Sequence, residues 1–164
     1  MNLELKKVEF SERMSEETNC YCADLWVDGK KCAFVNNEGK GGDTYYRAHS
    51  AEMFELLKQA EAYALKQPEI VCKELDFSYD SDLGVIIDKL FEQWVEAKDQ
   101  KKLDKMCKKG LAFGTPASYS YISWASANSL KEISLEVLQK TYDEYKGKGC
   151  LNSPEQLTEL GIKL

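Results

Sequence analysis

The chain has 164 residues, 43% of them hydrophobic, with nine Tyr, six Phe and three Trp, which is enough to bury a core without disulfides or metal and unlike the composition of disordered chains. A formal charge of −6 repels polyphosphate, so binding to nucleic acid is not expected without a strongly segregated basic face. No run approaches membrane-spanning length and MNLELKKVEF lacks the apolar stretch of a secretory signal, so a soluble, cytoplasmic protein with no membrane partner is expected.

In chain order, Leu3, Leu5, Val8 and Phe10 alternate but change phase between Leu5 and Val8, the mark of a strand with a bulge. After the polar stretch SERMSEETN, residues 19–27 and 30–36 form two alternating runs joined by Asp28-Gly29, a dipeptide suited to a tight hairpin. Pairing Leu25 with Cys32 across that turn puts Tyr21, Ala23, Leu25, Cys32 and Phe34 on the core face. The other face then carries Cys20, Cys22, Asp24, Trp26, Ala33 and Val35. The glycine loop NNEGKGGDT follows, and residues 44–48 can make a fourth strand.

From Ser50 the period becomes helical. Met53, Leu56, Leu57, Ala60 and Ala64 lie on one stripe behind Ser50 as N-cap, and Pro68 stops the run. A longer helix starts near Asp82 on Leu83, Ile87, Leu90, Trp94 and Ala97, keeps Leu103 and Met106 as apolar contacts, and ends at Gly110. LAFGTPASYSYISW predicts one or two strands that return to the sheet. A third helix fits residues 134–145, with Leu135, Leu138, Tyr142 and Tyr145 inward, and Ser153-Pro154-Glu155-Gln156 opens a short last helix that Gly161 closes. Strands first and helices after them predict an α+β fold: an N-terminal antiparallel β-meander (1–49) with helices (50–110) packed on one face, then a hairpin and C-terminal helices (111–164), all in one domain.

The six cysteines, Cys20, Cys22, Cys32, Cys72, Cys107 and Cys150, contain no C-x-x-C pair, and the chain has one His. Reduced, partly buried thiols follow, with no metal site. His49 and adjacent Glu16 and Glu17 are the residue types an acid–base enzyme would recruit, yet a cap or a solvated turn is the commoner fate of each. Lys101, Lys102, Lys105, Lys108 and Lys109 read as a solvated stripe at the negative end of the long helix. Tyr119, Tyr121, Ile122 and Trp124 could stack a base or pack a strand.

The glycine loop has two readings. Its backbone amides could form an anion nest, with Lys40, Thr44 and Arg47 adding donors; alternatively it is a slack hairpin connection in which glycine supplies positive φ. It is no Walker A loop, because a strand rather than a helix follows it. In a meander, the connections after the first and third strands lie at one end of the sheet, so Ser15, Glu16 and Thr18 could share a pocket with the glycine loop.

LKKVEFSERMSEETNCYCADLWVDGKK, NNEGKGGDT, IIDKLFEQWVEAKDQKKLDKM, FGTPASYSYISW and LTELGIKL together resemble a family of small proteins encoded by bacteriophages and other mobile elements. The resemblance rests chiefly on MSEETN and on the GxGGxT loop formed by residues 39–44. It implies an infected bacterial cell as the setting and antagonism of host defence as the role, by analogy with phage proteins that act as sponges for nucleotide signals. The expectation that follows is a binder without catalytic residues or cofactor. Lys40, Gly41, Gly42, Thr44 and Arg47 would hold the phosphate of a nucleotide-derived signal, and Ser15, Glu16, Thr18 and Tyr45 or Trp124 its sugar and base. Two alternatives stand beside it: an antagonist that covers a host defence protein through an acidic or aromatic surface, and a nucleotide-degrading enzyme using Glu16, Glu17 or His49. A homodimer is a further possibility, because a small sheet can need a partner to bury its second face.

Overall fold

A computed structural model describes residues 1–72 and 77–164, with the side chains of Cys72 and Phe77 outside that description. The chain forms two compact units, Met1–Trp94 and Val95–Leu164, and the division falls inside a long helix rather than at a linker. The first unit opens with strands β1 (Leu3–Phe10), β2 (Cys20–Val27), β3 (Lys30–Glu38) and β4 (Tyr45–Ala48), which form one antiparallel meander in the order β1-β2-β3-β4. Helix α1 (Ala51–Ala64), a short hairpin β5 (Ile70–Cys72) and β6 (Phe77–Tyr79), and residues 83–94 of helix α2 (Leu83–Cys107) complete it. The fold is α+β, with helices packed against the meander as the order of periodicities predicts.

Two bulges set the faces of the sheet. In β1 the register shifts between Lys6 and Glu9, where Lys7 takes φ of 51°, so the expected phase change is a bulge. The Asp28-Gly29 turn has both residues at positive φ, 47° and 79°, the twist-compatible hairpin geometry its sequence calls for. Just beyond it a second bulge, between Leu25 and Trp26, pairs Leu25 with Ala33 instead of Cys32. This one-residue slip corrects the expected pattern on β3: Ala33 and Val35 are fully buried and Phe34 turns to the other face, while Cys32, the extra residue, is buried as well. A slip of one exchanges the two faces of a strand.

The core of the first unit is Tyr21, Ala23, Leu25, Val27, Cys32, Ala33 and Val35 from the sheet, Leu57, Ala60 and Ala64 from α1, and Leu83, Ile87 and Phe91 from α2. The predicted stripe on α2 is corrected in one respect. Phe91 takes the buried place expected for Leu90, and Ala97 is exposed, because the helix steps by four from Leu83 to Ile87 to Phe91. The Phe91 ring lies stacked on Tyr21 with centroids 3.9 Å apart.

The second unit holds hairpin β7 (Gly110–Thr115) and β8 (Ser118–Ser123), helix α3 (Leu135–Tyr145) and helix α4 (Pro154–Glu159). The hairpin is a sheet of its own and does not join the meander. Leu111, Phe113, Leu130, Leu138, Tyr142, Leu157 and Ile162 form its main cluster, against which Trp124 and Tyr145 pack; Leu135, expected inward, is 49% exposed. The five lysines from 101 to 109 are all exposed. Ser153 caps α4 by accepting from the Gln156 amide. The Gln156 side chain is drawn away from a capping box by the Cys107 carbonyl, to which it donates at 2.6 Å. Among the described residues no helix is long and apolar enough to cross a membrane.

Two buried polar groups organise these units. Asn152, 3% exposed, accepts from the Ala112 amide at 2.9 Å and donates to the carbonyls of Cys107 and Gly110 at 3.0 Å each. Asn152→Leu should therefore destabilise the protein by about 3 kcal/mol, because it leaves buried backbone groups unpaired; urea unfolding measures this. On the open face of the meander, Asp24 is 7% exposed and lies 3.0 Å from both Lys31 Nζ and His49 Nε2. Burial works to raise its pKa, but the hydrogen bonds and charges of Lys31 and His49 outweigh burial and hold it below the usual aspartate value. A depressed folded-state pKa stabilises above the unfolded-state pKa and is lost as pH falls through the folded one. Unfolding midpoints should thus decline below the ordinary aspartate range, about pH 3.9, and more steeply in the wild type than in Asp24→Asn.

Candidate functional site

The site grows from one polar residue on an apolar face. Asn37 continues the inward phase of Ala33 and Val35 and pairs with Tyr21, so β2 and β3 end in a buried polar pair rather than in more core. The Asn37 side-chain oxygen accepts from the Gly39 amide at 2.9 Å and from the Thr18 hydroxyl at 2.9 Å. Its nitrogen donates to the Gly42 carbonyl at 3.2 Å and to Thr44 Oγ1 at 3.0 Å. All four hydrogen-bonding directions of this amide are used, and they tie the start, middle and end of the glycine loop to one point.

The two loops meet through a carbonyl. Gly39 O accepts from the amides of Glu16, Glu17 and Thr18 at 2.9, 3.1 and 3.4 Å. Three successive amides converging on one oxygen are the arrangement that elsewhere captures an anion; here the chain fills it with its own carbonyl. Gly39 (φ 81°) and Gly41 (φ 85°) supply the left-handed conformations the loop needs. At Gly39 a Cβ would also stand 2.5 Å from the Met14 carbonyl oxygen and 2.8 Å from Cys20 Cβ. The loop is therefore not slack, and the amides of Gly39 and Gly41 are taken up by Asn37 and Thr18.

Beneath the loop, Thr44 is buried and donates through a short hydrogen bond to Asp88 on α2. Tyr21 donates to the same Asp88 oxygen at 2.8 Å and lies 3.3 Å from Thr44 Oγ1. Burial above all, and then the Asp88 carboxylate, push the Tyr21 phenol well above its usual pKa, so it remains a donor across the physiological range.

These elements enclose a cleft of about 410 Å³ lined by the 17–19 segment, Tyr21, Asn37, the 41–43 segment, Asp88, Phe91 and Glu92. Glu17, Asp43, Asp88 and Glu92 bring four carboxylates to it, and among the described residues that line it none is basic. A phosphate about 6 Å from one such carboxylate is repelled by roughly 1–3 kcal/mol at effective dielectrics between water and a protein surface. Hydroxyl and amine donors are attracted instead.

Of the residues singled out from the sequence, Thr18, Gly41 and Gly42 line the cleft and Thr44 anchors its floor. Ser15 is structural, donating to the Ser11 carbonyl and accepting from the Cys20 amide. Glu16 contributes its amide to Gly39, and Lys40 is exposed. Tyr45 is exposed, Arg47 lies over the Phe34 ring on the open face, and neither lines the cleft. Trp124 belongs to the second unit, in the cluster around Phe113. His49 is held by Asp24 on the face opposite Tyr21. Among the described residues no group of three or more His, Cys, Asp or Glu is placed to hold a metal ion.

Sequence reasoning missed Tyr21, Asn37, Asp43, Asp88 and Glu92. The available signal was a polar residue in an apolar phase: Asn37 after Ala33 and Val35. Asp88 gave a weaker one, adjacent to Ile87 in the stripe. Comparisons with protein-family models, curated proteins and solved structures return no match.

The loop junction makes a specific demand. Gly39→Ala should cost about 3 kcal/mol, combining the left-handed penalty with displacement of the Met14 and Cys20 contacts. Gly29→Ala, where a Cβ has open space, should cost about 1 kcal/mol; paired denaturation curves separate the two.

Proposed function

We propose that this protein is a non-catalytic binder of a small nucleoside-derived molecule, which it takes hydroxyls and amines first into the acidic cleft of its first unit. The observation that carries this reading is the pre-formed junction: Gly39 O held by three amides beside four carboxylates around one cavity. A cleft locked before the ligand arrives avoids the ordering cost of binding. Ribose hydroxyls and exocyclic amines are the donors that Glu17, Asp43, Asp88 and Glu92 can accept. Any phosphate would stay at the solvent side, near exposed Lys40.

Binding without turnover is favoured by the state of the polar groups. The two hydroxyls in contact with Asp88, those of Thr44 and Tyr21, belong to buried residues, and that of Thr44 is shared with Tyr21 and Asn37 as well, which suits a scaffold better than a nucleophile that must reach substrate. Tight ground-state complementarity is what a sequestering protein requires. In the phage setting implied by the resemblance, the role would be to withhold a small host signal.

Thermal unfolding against nucleosides, the corresponding nucleotides and inorganic phosphate tests the reading. A matching nucleoside at about a hundred times its dissociation constant should add roughly 2.7 kcal/mol, a shift of several degrees. Inorganic phosphate should add nothing. Glu17→Gln, at an exposed position, should weaken binding by about tenfold, the value of one charge-assisted hydrogen bond, and heat-released ligand should return intact. A response to phosphate with inert nucleosides would restore the glycine loop as the anion site. Consumed ligand would make the protein an enzyme, and silence across the panel would end the small-ligand reading.

A further inference from the structure

The two edges of the meander differ in how they meet solvent. β1 carries a bulge between Lys6 and Glu9, with Lys7 at positive φ, and a row of charges in LELKKVEF. Bulges and lysines are the devices that stop a strand edge from pairing. β4 has neither a bulge in its pairing with β3 nor a Lys or Pro in YYRA. Among the described residues no strand pairs with its outer side.

The ladder fixes which backbone groups that side presents. His49 N donates to Cys32 O at 2.9 Å, so in an antiparallel ladder the amides of residues 45, 47 and 49 turn toward β3 and those of Tyr46 and Ala48 turn outward. On the open face, Tyr45 is 61% exposed and Arg47 stands beside it, two residues along. On the helix side the edge opens onto a depression of about 530 Å³ lined by Tyr46, Ala48, Ala51, Phe54 and Leu57 among others, where Phe54 is 50% exposed.

We infer that β4 pairs antiparallel with β4 of a second copy, about a two-fold axis at Tyr46, so that two four-stranded meanders join into one continuous sheet. This register is self-complementary. The outward amide and carbonyl of Tyr46 meet those of the partner's Tyr46, and Tyr45 stands opposite the partner's Arg47. An aromatic ring against a guanidinium is a favourable cross-strand neighbour, and a shift of register would lose it. A two-fold contact of this kind uses one patch on both copies. It also sets the apolar depressions of the two copies across the axis from each other and covers Phe54.

Sedimentation velocity of the intact protein up to about 100 µM, a range that captures weak self-association, tests the inference. The wild type should show a doubling of mass with concentration. Tyr45→Lys, at an exposed position, sets two cations opposite each other and should abolish dimerisation. Adding Arg47→Glu to it restores opposite charges and should recover the dimer, an effect that a misfolded variant would not show. A wild type that stays monomeric overturns the inference. So does a dimer that Tyr45→Lys leaves intact, or one that the second substitution fails to restore.

Discussion

The capture of one carbonyl, Gly39 O, by the amides of Glu16, Glu17 and Thr18 is the constraint on which the candidate site depends. It joins segments far apart in the chain at one end of the sheet, and it can form only because Gly39 takes a positive φ with no side chain between Met14 and Cys20. Asn37 then reads the same loop from inside and binds both its ends. Without that pairing of amides and carbonyl, the loop would be a flexible hairpin connection and the carboxylates around it would be solvated surface.

The sheet separates two polar systems that its apolar residues would otherwise keep apart only by distance. On the helix side, Tyr21, Thr44 and Asp88 share a hydrogen-bonded cluster at the margin of the core, next to the Tyr21–Phe91 stack. On the open side, Asp24 is neutralised locally by Lys31 and His49. The helix-side cluster borders a cleft to which Glu17, Asp43, Asp88 and Glu92 bring carboxylates. Burying a carboxylate requires partners, and the two sites meet that requirement differently: Asp24 with Lys31 and the His49 ring, Asp88 with hydroxyl donors. The difference sets Asp24 beside a lysine and leaves the cleft lined by acidic and uncharged residues.

Local chemistry made much of the fold legible. The Asp28-Gly29 turn, the Leu5-to-Val8 phase change, the stripe behind Ser50 and the Ser153-Pro154 start each encode their own backbone geometry. The failures share one cause. The second bulge beside Leu25 shifted β3 by one residue, and Phe91 was buried in place of Leu90 although both positions fit a helical stripe, because the neighbour packed opposite decides between spacings that the chain alone allows. Leu135 and the Gly110–Ser123 hairpin followed the same rule: their patterns were read, but not the surfaces they would meet.

For the site, the sequence by itself determined the glycine loop, the acidic segment before β2 and, through alternation, the end of the sheet they share. It could not show that the amides of Gly39 and Gly41 are already engaged, or that Asp88 and Glu92 arrive from a helix more than forty residues away. Those facts place four carboxylates beside the glycine loop. Charge and turn chemistry are local properties that a sequence displays directly, whereas the sign of a pocket is the sum over residues that only folding places side by side.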